Sequence, residues 1–224
     1  KEQKPDLVIF GGDNVSSGFN RKITSELAEL MEKLGVYWAA VLGNHEGEGI
    51  LAVSREENVN IFSSYDHCLM KNGKDDVDGN GNYTISILNP DNTLKEVFFF
   101  MDSGSYMTDE SKSEYGVTKD GEVYDGVKTS QVQWYRDKHD ALTAEYGKFK
   151  SITVVHIPPY QAEREYSEDD FLYGEKRESI CESGFDAGLF DAMKEKGGAQ
   201  AVYFGHDHVN DFGVMCDGIL LSYI

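Results

Sequence analysis

Ala201-Val202-Tyr203-Phe204-Gly205-His206-Asp207-His208 passes in one step from an apolar run to a pair of imidazoles. The run from Ala201 to Phe204 reads as a buried strand. A glycine breaks it, and two histidines follow two residues apart. Open α/β sheets bind ligands just past the carboxyl ends of their strands. The same arrangement occurs three more times. Asp6 to Phe10 leads into Gly11-Gly12-Asp13-Asn14, Val36 to Leu42 leads into Gly43-Asn44-His45-Glu46, and Ser151 to Val155 leads into His156. Four strand ends thus deliver Asp13, Asn44 with His45, His156, and His206 with His208. These are oxygen and imidazole donors suited to divalent transition metals. A lone histidine after a strand is more often a hydrogen-bonded structural residue. Four such endings in a chain with six histidines point to one centre.

The order Gly-Asp, Gly-Asn-His-Glu, His, Gly-His-x-His resembles the calcineurin-like metallophosphoesterases. Within them it is most similar to the purple-acid-phosphatase-like branch, which carries comparable Gly-Asp-Asn-Val and Gly-His-Asp-His-Val-Asn-Asp segments. The likeness spans almost the whole chain. It implies an α/β fold, an αββα sandwich of two mixed β-sheets flanked by helices. It also implies hydrolysis of phosphate esters at a two-metal centre through a metal-activated water. Two ions about 3.5–4 Å apart lower the pKa of a shared water and clamp the ester.

On that resemblance, Asp13 bridges the ions, and Asn44, His156 and His206 complete the set on one of them. His208 and Asp13 face the other. His45 lies near the ester, stabilises transition-state charge and protonates the leaving oxygen, work suited to a histidine at neutral pH. Glu46 is the candidate to orient that imidazole. Iron, manganese and zinc are all compatible. No tyrosine stands in Asn14-Val15-Ser16, so a ferric tyrosinate colour is not expected. The family's first motif, Asp-x-His, has no counterpart before Asp13. The expectation is therefore a single domain over residues 1–224 lacking its first strand and its C-terminal end, with the first ion's site incomplete.

Composition narrows the partners. The net charge of −19 argues against a basic nucleic-acid-binding face and is read as a solubility feature. For an anionic ester, bound cations would reverse the sign locally. A small-molecule or protein phosphate ester is the expected substrate. No apolar run is long enough to span a membrane. No targeting segment is read, and the compartment stays open. Cys68, Cys181 and Cys216 are scattered without a Cys-x-x-Cys pair, which leaves room for one disulfide and none for a zinc knuckle.

The remaining chain supplies scaffold. Asn20 to Leu34 reads as a helix with Ile23, Leu27, Leu30, Met31 and Leu34 on one face. Ser54-Arg55-Glu56-Glu57 resembles a capping box. Asp76-x-Asp78-x-Asn80-Gly81 imitates an EF-hand loop, but its twelfth position is Ile87, so a hairpin turn is the preferred reading over a calcium site. Asp102 follows a strand and is either a further site residue or an Asx turn. Ser130 and Asp186 are read as helix caps, and His67 and His139 as packing or surface histidines. Two other functions stay open: a phosphodiesterase of the same superfamily, and a non-catalytic binding domain with a degenerate metal site.

Overall fold

The computed structural model describes residues 3–16, 18–164, 166–167 and 171–224. Two sheets lie at its centre. The parallel strands β1 (Leu7–Phe10) and β2 (Tyr37–Ala40) form one, joined through helix α1 (Asn20–Leu34). The other sheet has seven strands, with helices packed around both. It contains β3 (Tyr83–Leu88), β4 (Leu94–Phe100), β5 (Lys150–Val154), β6 (Phe171–Tyr173), β7 (Ala199–Phe204), β8 (Gly213–Cys216) and β9 (Ile219–Tyr223). Their order is β3-β4-β5-β7-β9-β8-β6. Strands β4, β5, β7 and β9 are parallel, β3 and β8 run antiparallel to them, and β6 pairs antiparallel with β8. This is the mixed α/β sandwich expected of the sequence.

Strand β4 shows how the core is divided. Alternate side chains of a strand face opposite ways. Val97, Phe99 and Met101 therefore enter one core with Tyr135 of α4 (Thr129–Tyr146) and Met193 of α6 (Leu189–Lys196). Phe98 and Phe100 enter the other, between the sheets, with Trp38 and Phe62. Both faces are covered, so the strand reads as a continuous apolar run.

Several local expectations are corrected. Helix α1 buries Asn20, Thr24, Ala28 and Met31, while Ile23, Leu30 and Leu34 are exposed. Polar anchors set its rotation: Asn20 Nδ2 donates to Glu46 O and Thr24 Oγ1 to Asn58 Oδ1. Helix α2 (Arg55–Ser63) is capped by Ser54, as read. Ser130 is not a cap; Lys128 holds that position, and the Ser130 hydroxyl donates to Asp78 Oδ2. Gly188, not Asp186, precedes α6, and Asp186 instead accepts from Gly188 N and Gln161 Nε2. Between Tyr160 and Ser183 the described residues include α5 (Gln161–Arg164) and β6, the strand at one edge of the large sheet. Cys68, Cys181 and Cys216 form no disulfide. Among the described residues no helix is long and apolar enough to cross a membrane.

His139 is buried in α4, stacked near Phe149 with Nε2 3.2 Å from Gly197 O. Burial holds its pKa below the ordinary histidine value. The unfolded chain then binds a proton more readily, so stability falls as pH drops below about 6.5 and towards the folded-state value. A His139→Gln variant should lose that part of the acid sensitivity, read as a flatter melting-temperature profile between neutral pH and pH 5.

Candidate metal centre

The two sheets bring the carboxyl ends of β1, β2, β5 and β7 to one place. His156 Nδ1 lies 2.8 Å from Gly11 O, linking the loops after β5 and β1. The backbone is tight here. Asp13 and His206 adopt positive φ, 50° and 76°, a conformation that costs a non-glycine residue roughly 1–3 kcal/mol and gathers at functional sites. A Cβ on Gly43 would stand 2.1 Å from Asp13 Oδ1, and one on Gly12 would stand 2.3 Å from His156 Nδ1. These glycines allow the ligand loops to touch.

His156 is the centre of the cluster and is 1% exposed. The carbonyl of Gly11 can only accept, so Nδ1 carries the proton and Nε2 presents a lone pair. That nitrogen lies 3.2 Å from Asp13 Oδ2, 3.2 Å from Asn44 Oδ1 and 3.3 Å from His206 Nδ1. Asp13 Oδ2 is buried with no hydrogen-bond partner. Four electron-pair donors thus face one another across hydrogen-bond distance with one proton already committed elsewhere. A divalent cation relieves such crowding, and the mixed nitrogen and oxygen set suits zinc, manganese or iron. Among the described residues, Asp13, His156 and His206 form the one cluster of three acidic, histidine or cysteine donors, with ligand atoms within 4.8 Å.

The electrostatics agree with a cation site. Burial alone would raise the Asp13 carboxyl, but positive charge at His156 and His45 and the His45 backbone amide would outweigh it and lower the pKa; with the His156 proton on Nδ1, a bound cation would supply that charge. Burial, the largest cause, pushes His206 down to about 4, which favours the neutral imidazole that coordination needs.

His45 opens a single 3-10 turn, His45–Gly47. Its backbone N donates to Asp13 Oδ1, and its Nε2 is 3.8 Å from Asp13 Oδ2. The side chain that orients the ring is Glu48, whose Oε2 lies 2.5 Å from Nδ1. Glu46, expected in that role, is fully buried and turns the other way. It accepts from Gly43 N at 2.7 Å, Asn14 N at 2.5 Å and Val15 N at 3.3 Å, stapling the Asp13 loop to the Asn44 loop. The reason is helical phase: in a 3-10 turn residues three apart eclipse, which places Glu48 over His45. Burial of His45 opposes its ionisation, but Glu48 and Asp13 prevail and raise its pKa.

His208 is exposed and is not among the clustered donors. It lines a cleft of about 280 Å³ with Asp13, His156 and His206. A second cleft, about 210 Å³, joins Asn44, His45, His206 and His208 to two tyrosines the sequence did not single out. Tyr124 meets His206 edge-on at 4.2 Å and stacks with Tyr106 at 5.3 Å. Asp102 settles as a turn and ion-pair residue: it accepts from Gly104 N and pairs with Arg55. His67 pairs with Glu32. Asp78 is engaged by Ser130, and Asp76 joins no cluster of metal-binding groups.

The model of the family described as calcineurin-like phosphoesterase matches residues 1–210. The chain is 30% identical to "Probable inactive purple acid phosphatase 14" of Arabidopsis thaliana, over 99% of this chain and 58% of that protein. It is 29% identical to "Probable inactive purple acid phosphatase 29" of the same plant, over 99% of this chain and 59% of that protein. Against "Phosphatase DCR2" of Saccharomyces cerevisiae the identity is 27%, over 94% of this chain and 37% of that protein. The chain therefore spans less than two thirds of the length of these relatives.

Proposed function

This chain belongs to the calcineurin-like phosphoesterase family, and we propose that it hydrolyses phosphate monoesters at a two-metal centre. The observation that carries this reading is the convergence of Asp13 Oδ2, Asn44 Oδ1 and His206 Nδ1 on the unprotonated Nε2 of His156. Those four residues would hold one ion, and Asp13 with His208 would serve the other. Bound metal supplies an activated water and charge relief on the phosphoryl oxygens.

His45 does the proton work. Glu48 takes its Nδ1–H and favours the cationic ring, which leaves an Nε2–H to donate towards the leaving oxygen. The cleft beside it, walled by Tyr106 and Tyr124, receives the leaving group. A small-molecule ester and a protein-borne one both remain candidate substrates.

The second reading is a binding domain with a degenerate centre. The word "inactive" in the names of the Arabidopsis relatives supports it. Turnover decides between them. With Mn²⁺ or Zn²⁺ added, p-nitrophenyl phosphate should be cleaved faster than bis(p-nitrophenyl) phosphate. His45→Ala should lower kcat about 100-fold, the usual size of a general-acid contribution, at unchanged metal content. Glu48→Gln should lower kcat less and leave KM unmoved. Bound metal with turnover no higher than in His45→Ala establishes the binding domain; faster diester cleavage makes the chain a phosphodiesterase.

A further inference from the structure

The segment after β4 contributes no donor to the cluster, yet it touches the backbone of two residues that do. Ser105 Oγ donates to Asn44 O at 3.0 Å. Ser103 Oγ accepts from His156 N at 3.3 Å and Ile157 N at 2.9 Å. Asp102 accepts from Arg55 Nη2, and Arg55 Nη1 donates to Gly43 O at 2.5 Å. Asp102 and Ser103 are almost fully buried, and Asp102 is held in turn by the amides of Asn80 and Gly104.

The topology explains the placement. Strand β4 lies beside β5 in parallel register, so residues 102–105 run alongside the turn that carries His156. Arg55 opens α2, close enough to bridge from there to the Gly43-Asn44 turn. A buried guanidinium with a carboxylate at one end and a carbonyl at the other is a rigid strut, because its planar fork allows few geometries. Burying such a pair adds little net stability, which leaves geometry as its contribution.

We propose that Asp102, Ser103 and Ser105, together with Arg55, form a brace whose task is to position Asn44 and His156 for the metal. This rests on the reading of those two as ligands. The four brace residues are positioning residues: Ser103 and Ser105 act through the backbone of the ligands, and Arg55, held by Asp102, through the carbonyl of Gly43 next to Asn44. Tyr106, next in the chain, lines the cleft beside Asn44 and His45.

Direct titration of the metal-free chain with Mn²⁺ alone and Zn²⁺ alone, without substrate, tests the brace, alongside the metal-free melting temperature. Groups that orient ligands typically account for about 10- to 100-fold in metal affinity. Ser105→Ala and Arg55→Lys should each raise Kd about tenfold or more, and Ser103→Ala likewise if it folds. Met193→Ala is the control, a fully buried core residue on α6 with no contact to the brace; the cavity it leaves should lower the melting temperature without moving Kd. A Kd within twofold of the unsubstituted chain in Ser105→Ala and Arg55→Lys overturns the brace. So does an equal weakening in Met193→Ala, which would signify general loosening. Failure of the unsubstituted chain to bind either ion overturns the ligand assignment itself.

Discussion

His156→Ala is expected to abolish tight metal binding and, with it, any hydrolysis of p-nitrophenyl phosphate. Every short approach in the cluster ends on His156 Nε2, so its removal leaves Asp13, Asn44 and His206 around a void. The cleanest readout is thermal. A ligand that binds only the folded chain stabilises it by about 4 kcal/mol at a thousandfold excess over Kd. In a domain of this size that corresponds to a rise of roughly 8–16 °C. The unsubstituted chain should show such a rise on adding Mn²⁺ or Zn²⁺ to the metal-free protein, and His156→Ala should show none. The variant also loses the bond to Gly11 O, so its baseline will lie lower; the metal-induced increment is the quantity to compare. An increment that survives in His156→Ala would remove this residue from the centre.

The convergence of most candidate ligands, His208 excepted, was legible because its signal is local. Each candidate ligand stands directly after an apolar strand, and parallel strands deliver such residues to a common edge. Asp13, Asn44, His156 and His206 come together for that reason. What escaped were groups defined by another loop's position. Glu46 and Glu48 both follow His45 closely in the chain, and the phase of one 3-10 turn decides which carboxylate meets the imidazole. Arg55, Ser103 and Ser105 act on backbone atoms, which no residue pattern announces. In α1, hydrophobic spacing named a face of which the fold buries Met31 and packs Leu27 but leaves Ile23, Leu30 and Leu34 in solvent. Two buried polar anchors, Asn20 and Thr24, outweighed it, because an unpaired buried polar group costs more than an exposed leucine.

Glu46→Ala should be among the most destabilising single substitutions at the site. One carboxylate satisfies three backbone N–H groups, those of Gly43, Asn14 and Val15. Alanine would leave all three in a buried pocket without an acceptor, at about 1–3 kcal/mol each. Part of this is offset, because the buried carboxylate is itself poorly solvated: burial, then the Asp13 charge, raise its pKa. A net loss of about 3 kcal/mol, a melting temperature lower by roughly 6–12 °C, is the expected result. Glu46→Gln keeps one accepting oxygen but turns an N–H₂ towards a backbone donor, so it should lose an intermediate amount. The Asp13 and Asn44 loops are also stapled through this carboxylate, so metal affinity should fall in the same order, Glu46 above Gln above Ala. A melting temperature within 2 °C of the unsubstituted chain in Glu46→Ala would mean that the two loops hold each other through the close approach of Gly43 to Asp13 alone, and the carboxylate would lose its structural role.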